Sequence, residues 1–180
     1  MRIHADTVAA VAVDYQEKLI PAMHNPPELI RSSRILLSGL KELNIPVIIS
    51  RQYPKGLGDT VPEIKEVTSD ALPCEKMTFS CWGNEEFRNL LQKLKRKNII
   101  VCGVEAHVCV LQTSIDLLAS GYGVLYAADC TESRKKHDKK AGMKRAEREG
   151  ALIVTYEQIL FELLESATAP AFKSISALLR

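Results

Sequence analysis

The sequence predicts an α/β domain of three layers (αβα), with helices on both faces of a mainly parallel, Rossmann-like sheet. Short runs rich in Val and Ile alternate with longer helical patterns, and residues 8–13 form a continuous apolar run. Such a run is typical of a parallel strand buried on both faces. Regular alternation of strands and helices favours a parallel sheet with right-handed crossovers. Because the 180 residues contain no repeat or linker, we expect a single domain over residues 1–180.

The first half of the chain predicts two strands around one helix, followed by a long irregular segment. The predicted order is a strand over residues 8–13, a helix over residues 27–43 and a strand over residues 46–50. Pro27 and Glu28 suit the first turn of that helix, because proline needs no backbone donor there and an acidic side chain favours the helix dipole. Residues 51–83 show no long period of either kind, and a segment of this length is uncommon unless it carries function.

The second half of the chain repeats one pattern, a strand followed by a helix. The predicted strands are residues 98–102, 123–128 and 151–154, and the predicted helices are residues 84–97, 107–120, 136–149 and 155–164. Asn84 is the expected N-cap of the first of these helices, and Thr155 with Gln158 predicts a capping box for the last. We expect the tail over residues 168–180 to form a short peripheral helix that contributes to an oligomer contact.

Composition and charge exclude several classes of protein. The chain is 46% hydrophobic and 26% charged, and its formal net charge is +2, so it lacks the overall basic character expected for nucleic-acid binding. Basic residues between positions 134 and 148 are interleaved with acidic ones. We interpret them as a solvated helix face, with a phosphate or RNA patch as the alternative. The apolar run at residues 8–13 is too short to span a membrane, so we expect no membrane insertion.

The five cysteines indicate a reducing compartment. They are an odd number in a chain without secretory features, so we expect a cytoplasmic protein without a signal peptide. No Cys-x-x-Cys pair is present, which disfavours a thioredoxin-like redox role. Each cysteine is therefore either a core residue or a chemical reagent.

Cys109 is the first candidate for chemistry. It follows the predicted strand at residues 98–102 after a tight connection and lies at or near the first turn of the next helix. The free amides and the dipole of a helix N-terminus lower the pKa of a thiol, and the same amides can bind a developing oxyanion. A buried core cysteine is an equally good interpretation of this context alone, since free cysteine is among the most buried residue types.

Asp14 and Lys76 are two further candidates. Asp14 closes an otherwise apolar strand, at the edge of the sheet where parallel α/β proteins bind their ligands. A carboxylate there needs a partner or solvent, although a turn former is the alternative. Lys76 is a single cation among mostly apolar neighbours in the irregular segment, where an ordinary surface lysine is the alternative.

Three segments resemble the cysteine hydrolases of the isochorismatase-like superfamily. They are Val-Asp-Tyr-Gln at residues 13–16, Glu-Lys-Met-Thr-Phe-Ser at residues 75–80 and Gly-Val-Glu-Ala-His-Val-Cys-Val at residues 103–110. In that superfamily these positions carry an aspartate after the first strand, a lysine in the central loop and a cysteine after a turn. Residues 52–58 and 156–164 look like the metal-independent subgroup of small uncharacterised hydrolases. The resemblance covers about residues 6–165.

The resemblance implies a catalytic triad of Asp14, Lys76 and Cys109. Asp14 would take the thiol proton, Lys76 would hold the thiolate, and Cys109 would attack an amide-like carbonyl to give a thioester. It also implies a cis peptide bond between Val104 and Glu105. The backbone amides of Glu105 and Cys109 would then form an oxyanion hole.

The metal-binding pattern of related enzymes is absent from the sequence. Metal-dependent relatives such as nicotinamidases carry Asp-x-His after the second strand, whereas residues 50–53 read Ser-Arg-Gln-Tyr. No histidine forms a close pair with a carboxylate at ligand spacing, so we expect no metal and no cofactor. The side chains that we expect to line a substrate pocket, with core packing or helix initiation as alternatives for some, are Gln16, Tyr53, Phe79, Trp82 and His107.

The leading hypothesis is therefore a cytoplasmic thiol hydrolase that acts on a small amide or related carbonyl compound. The alternative is a non-catalytic protein that keeps the fold and serves in assembly or binding. Nucleic-acid binding is a third hypothesis, for which only the mixed-charge helix argues. We expect a homo-oligomer, because relatives bury flat helical surfaces between subunits.

Overall fold

The computed structural model describes residues 2–180, and its centre is one six-stranded sheet in which every neighbouring pair of strands is parallel. The strands are β1 (Val8–Val13), β2 (Val47–Gln52), β3 (Leu72–Lys76), β4 (Asn98–Val104), β5 (Gly123–Glu132) and β6 (Leu152–Val154). Their spatial order is β3-β2-β1-β4-β5-β6. The predicted three-layer α/β fold is confirmed.

Helices cover both faces of the sheet. The helices are α1 (Pro26–Glu42), α2 (Pro54–Leu57), α3 (Pro62–Val67), α4 (Glu85–Leu94), α5 (Cys109–Ala119), α6 (Lys136–Arg148), α7 (Tyr156–Leu164) and α8 (Phe172–Leu178). One apolar cluster joins the sheet to α1, α3, α7 and α8, and a second joins the opposite face to α4, α5 and α6. Two short 3-10 helices, Ile20–Ala22 and Cys81–Gly83, complete the connections.

The apolar run of β1 is explained by its central position. Ala10 and Ala12 belong to the first apolar cluster, whereas Val11 and Val13 belong to the second. Successive side chains of a strand point to opposite faces, so a strand covered on both faces needs apolar residues at every position. The prediction from the continuous run is therefore confirmed.

The segment over residues 51–83 is more regular than the sequence indicated. It contains α2, α3 and the edge strand β3, and β2 extends to Gln52. The sequence concealed β3 because Leu-Pro-Cys-Glu-Lys contains a proline, which is tolerated only at the edge of a sheet. Its exposed positions are Pro73 and Glu75, because only one side of this strand faces the core. Lys76 is therefore the last residue of a strand, and its placement in an irregular loop was wrong.

Other predicted boundaries agree to within a few residues. The side chain of Asn84 accepts a hydrogen bond from the amide of Phe87, and Thr155 forms its capping box with Gln158. The helix expected from residue 107 begins at Cys109, and β5 extends beyond residue 128 to Glu132. The carboxyl-terminal helix α8 packs on α1 of the same chain through the buried Ile175.

The strand order determines where a ligand would bind. The chain winds outward from β1 through β2 to β3 and then returns to β4 on the other side of β1. Ligands of such sheets bind beyond the carboxyl ends of the strands at this reversal. Asp14 follows β1 and Cys109 follows β4, so both lie at the switch point. Within residues 2–180, no helix combines the length and the apolar composition needed to cross a membrane.

The close packing of β1 against β4 predicts that Gly103 is irreplaceable. Its φ is +118°, and a Cβ at this position would lie 2.0 Å from the carbonyl oxygen of Val13. We expect Gly103→Ala to prevent folding or to lower the free energy of unfolding by more than about 4 kcal/mol. Thermal and urea unfolding, compared with the unchanged protein, measure this loss.

Gly121→Ala is the matched control for this prediction. Gly121 also has a positive φ, +87°, but a Cβ there would meet no atom within 4 Å. Only the left-handed backbone opposes the alanine, at about 1–2 kcal/mol. Equal stability of the two variants would show that the contact with Val13 does not restrict Gly103.

Candidate active site

Asp14 is directed into the protein by an unusual turn at the end of β1. Its φ is +52°, a left-handed conformation that aspartate tolerates better than most residues. Its amide donates to the carbonyl of Ser50, and its own carbonyl accepts from the amide of Gln16. The chain thus turns immediately after the strand, and the carboxylate is completely buried at the switch point.

Lys76 provides the partner that this buried carboxylate requires. Its Nζ lies 2.6 Å from Oδ2 of Asp14, and both side chains are fully shielded from solvent. Burial alone would lower the pKa of Lys76, but the Asp14 carboxylate raises it, and the net pKa lies above the usual value for lysine. The structure therefore contains a buried ammonium and carboxylate pair. Such a pair is stable only where hydrogen bonds satisfy its remaining polar atoms.

Two residues of β2 supply those hydrogen bonds. The hydroxyl of Ser50 donates to Oδ1 of Asp14 at 2.7 Å, and Oε1 of Gln52 accepts from Nζ of Lys76 at 2.8 Å. Neither residue was among the predicted site residues. The available signal was the pair of polar side chains at alternate positions near the carboxyl end of a parallel strand, where ligand sites form.

Cys109 is the first residue of α5 and lies beside the pair. Its thiol is 7% exposed, and burial raises its pKa to about 12. The Asp14 carboxylate raises the pKa further through its charge and a hydrogen bond, while Lys76 opposes this effect. The expected net lowering of the pKa of this thiol was wrong, although Lys76 acts in the expected direction. The resting thiol is neutral, so it needs a base before it can act as a nucleophile.

Among the described residues, the turn between β4 and α5 leaves three backbone amides without a protein partner, those of Glu105, His107 and Cys109. The peptide bond between Val104 and Glu105 is cis, as the resemblance implied. The neighbouring amides of Ala106, Val108 and Val110 donate to carbonyls. The three unpartnered amides are therefore available to a bound ligand.

Neighbouring residues hold this turn in place. The hydroxyl of Tyr126 donates to the carbonyl of Ala106 at 2.9 Å, and Nδ1 of His107 lies 2.9 Å from the hydroxyl of Ser133. Helix α6 approaches closely because position 142 is glycine, where a Cβ would lie 2.8 Å from the carbonyl oxygen of Ala106. The turn is thus clamped between β5 and α6.

Two of the five expected pocket residues are engaged in contacts within the protein. The amide of Gln16 is buried and engaged with the backbone of Gln52 and Gly58, so it offers nothing to a substrate. The ring of Trp82 packs edge-on against Tyr122, with ring centroids 5.7 Å apart. Tyr122 follows the far end of α5, about 16 Å along the helix from Cys109. Trp82 is therefore a packing residue.

Tyr53 and Phe79 are exposed near the carboxyl ends of β2 and β3. Tyr53 is 47% exposed and Phe79 is 56% exposed, high values for aromatic side chains. The amide of Tyr53 donates to the carbonyl of Lys76, which places it next to the buried pair. Its φ of +38° is strained for a bulky residue, and such strain often occurs at functional sites. His107 is half-buried beside Cys109, with its ring held by Ser133.

The remaining potential ligands form no further centre. All five cysteines are free and buried, and within residues 2–180 no group of three or more His, Cys, Asp or Glu side chains could hold a metal ion. The charged residues nearest to the site are paired. Arg51 contacts Asp59 and Glu75, and Glu105 contacts Arg134.

Comparison with known sequences places this chain in one family. The isochorismatase domain matches residues 8–158, so the chain belongs to the isochorismatase family. A relative from Phytophthora sojae, the secreted isochorismatase effector Isc1, is 37% identical over 171 residues, which cover 93% of this chain and 81% of that protein. Some relatives are longer, and the chain spans 61% of isochorismatase domain-containing protein 1 of Salmo salar.

Solved structures show the same fold. The structure described as MAR1 ribonuclease from Caenorhabditis elegans is 37% identical, has a TM-score of 0.94 and covers 99% of this chain and 92% of its own. The YcaC gene product of Escherichia coli, described as an octameric hydrolase of unknown specificity, has a TM-score of 0.95. It is 22% identical and covers 99% of this chain and 89% of its own, a likeness that shows the fold alone.

The environment of Cys109 predicts its alkylation behaviour. At neutral pH, iodoacetamide should label Cys109 before the other cysteines, because it is 7% exposed and the others are at most 1% exposed. Since the thiol is neutral, the rate should rise about tenfold per pH unit between about pH 7 and pH 9. Peptide mapping by mass spectrometry after brief labelling measures both effects.

Cys109→Ser is the control, and it should lose only the rapidly labelled peptide. Equal labelling of all five cysteines would contradict the ranking by exposure. A rate that levels off below about pH 8 would show a thiol of low pKa, contrary to the raised pKa that burial produces.

Proposed function

We propose that this protein is a cysteine hydrolase that cleaves a small amide or related carbonyl compound through a thioester on Cys109. The observation that carries the proposal is the buried pair of Asp14 and Lys76 beside a thiol at the start of α5. A nucleophile, a base and a cation are thereby in reach of one reacting centre. The unpartnered amides of Glu105 and Cys109 support an oxyanion hole at the same place.

The first step forms the thioester. As Sγ of Cys109 attacks the carbonyl carbon, the thiol proton passes to Asp14, so that the neutral resting thiol becomes nucleophilic only when substrate is bound. The amides of Glu105 and Cys109 stabilise the negative oxygen, and Lys76 balances the charge. The tetrahedral intermediate then expels the amine, which takes the proton from Asp14.

The second step hydrolyses the thioester. Water replaces the amine, Asp14 accepts a proton from it, and the resulting hydroxide attacks the acyl carbon. The carbon–sulfur bond breaks, the acid leaves and the proton returns from Asp14 to the thiolate of Cys109. The cycle needs no metal or cofactor, because every proton transfer uses Asp14 and every developing charge faces Lys76 or a backbone amide.

The rim of the site supports a small, largely apolar substrate. Tyr53 and Phe79 present exposed rings there, and the nearby Arg51 is already paired with two carboxylates. We keep the cytoplasm as the proposed location, supported by five free thiols in a chain without disulfides among its described residues.

The triad predicts the effect of single substitutions. We expect Cys109→Ser, Lys76→Ala and Asp14→Asn each to lower kcat/KM for any amide substrate by at least about 10³, because each removes an essential part of one unit. Double variants should lose little more. A screen of small amides, with product formation followed by mass spectrometry, measures these effects.

Cys130→Ser is the matched control, since this buried thiol lies beside Asp129 and away from the triad. RNA belongs in the same screen because the Caenorhabditis elegans structure is described as a ribonuclease. Turnover of an amide or of RNA that survives Cys109→Ser would refute the thiol mechanism. Absence of turnover on every compound would favour the alternative of a non-catalytic assembly or binding protein.

We also propose a homo-oligomer. The edge strand β6 exposes Leu152, and the outer face of α7 exposes Phe161, each at about 40% of its surface. The octameric state described for the related fold of YcaC supports the same proposal. We propose that the tail contributes less to the oligomer contact than the sequence indicated, because the buried Ile175 fixes α8 to its own chain.

The oligomer is tested directly by light scattering. We expect a mass at least twice the 20.0 kDa of the chain at micromolar concentrations, because the two exposed apolar residues would then be covered. A 20.0 kDa species at every concentration would disprove the oligomer without affecting the catalytic proposal.

A further inference from the structure

The end of β2 holds both members of the buried pair at once. Ser50 donates to Asp14, and Gln52 accepts from Lys76. Between them, Arg51 points to the opposite side of the strand and pairs with Asp59 and Glu75, because successive side chains alternate. On this stretch of β2, the neutral side chains of Ser50 and Gln52 contact the buried pair on one side. The charged side chain of Arg51 belongs to a surface cluster on the other side.

The orientation of Gln52 is fixed by its other contacts. Its Nε2 donates to the carbonyl of Met77 at 2.9 Å, so its Oε1 must face the ammonium of Lys76. A flipped amide would place two donors together and two acceptors together. The backbone of Gln52 is held by Gln16, whose Oε1 accepts from its amide at 2.7 Å and whose Nε2 donates to its carbonyl at 2.9 Å.

These contacts determine which hydrogen-bonding positions of Asp14 and Lys76 remain free. Ser50 occupies Oδ1 of Asp14 and Lys76 occupies Oδ2, so the remaining acceptor capacity of the carboxylate serves the Cys109 thiol. Lys76 has three protons and uses two, on Asp14 and Gln52. Its third proton remains for the charge that develops on sulfur or substrate.

We propose that Ser50 and Gln52 are positioning residues, which hold the carboxylate of Asp14 and the ammonium of Lys76 in their charged forms and aim them at Cys109. This inference rests on the proposed thiol mechanism. A hydrogen bond donated to a carboxylate favours its ionised form, and one accepted from an ammonium favours the protonated form. A change at Ser50 should therefore affect activity at low pH, through Asp14, and a change at Gln52 should affect activity at high pH, through Lys76.

The neighbouring titratable groups do not obscure this effect. Burial raises the pKa values of the thiols of Cys109, Cys81 and Cys74, which all feel the charges of the pair, so these thiols stay neutral near pH 7. His107, on the turn before α5, is held by Ser133 and contacts neither positioning residue. Ser50 also interacts with the buried Cys81 thiol, but the raised pKa of that thiol keeps it neutral near pH 7. The effect of a change at Ser50 near neutral pH is therefore attributed to Asp14, and the effect of a change at Gln52 to Lys76.

The test uses p-nitrophenyl acetate, an activated ester that reports acylation without knowledge of the natural substrate. Sγ of Cys109 bonds to the acetyl carbon, the thiol proton passes to Asp14 and p-nitrophenolate leaves with the electrons of the broken bond. The initial burst of p-nitrophenolate is measured as a function of pH between about pH 4 and pH 11, with Cys109→Ser as the blank at every pH.

Ser50→Ala should shift the acidic side of this pH profile, its acid limb, and Gln52→Leu should shift the alkaline side. Ser50→Ala removes the hydrogen bond that favours the carboxylate form of Asp14, so the acid limb of the profile should move to higher pH by about one pH unit. Ser50→Thr, which keeps the hydroxyl, should restore it. Gln52→Leu removes the acceptor from Lys76, so activity should fall on the alkaline side at lower pH than in the unchanged protein. At neutral pH we expect each rate to drop about tenfold with little change in half-saturating ester concentration.

Ser32→Ala is the control for loss of a buried hydroxyl, since Ser32 lies on α1 and contacts Glu28. Slower acylation in Ser50→Ala and Gln52→Leu with both limbs unmoved would mean a merely structural role and would overturn the proposal. Gln52 is partly exposed, so its substitution should disturb folding less than a change at Ser50. Gln52→Leu therefore tests the proposal independently if Ser50→Ala is unstable. No burst in the unchanged protein would instead reject the thiol function, and this inference with it.

Discussion

The ion pair between Lys76 and Asp14 is the interaction on which the rest of the site depends. Its two residues are 62 positions apart in sequence, yet their charged atoms meet at 2.6 Å without solvent. Removing two charges from water costs several kcal/mol per ion, and only close pairing with full hydrogen bonding offsets it. The ends of β1, β2 and β3 must therefore stay in fixed register, since β1 leads into the carboxylate of Asp14, β3 supplies the ammonium of Lys76 and β2 supplies the groups that bind both.

This constraint explains why the thiol rests in its neutral form. A helix N-terminus favours a thiolate, but Cys109 is buried next to a carboxylate, and these two effects raise its pKa. The negative charge of the site is already located on Asp14, where Lys76 and Ser50 stabilise it. In the proposed mechanism, a proton transfer from sulfur to carboxylate moves that charge onto Cys109 only when a substrate arrives.

Close backbone contacts hold the thiol against the pair. Gly103 lets β4 approach the carbonyl of Val13, the residue that precedes Asp14, and Gly142 lets α6 press on the turn before Cys109. Both contacts are closer than any side chain with a Cβ allows. The proposed nucleophile and base consequently follow two adjacent central strands, whose separation is set by backbone packing.

The sequence by itself determined the layers, the central strands, the family resemblance and the triad candidates, because apolar periodicity, caps and ordered motifs are local signals. It did not reveal β3, whose proline and alternating polar residues are compatible with a strand only at a sheet edge. Nor did it reveal Ser50 and Gln52 as partners of the pair, or the commitment of Gln16 and Trp82 to internal packing. Those outcomes, like the raised pKa of Cys109, depend on distances between residues far apart in the chain. Only the tertiary structure sets such distances, because burial and charge act through space.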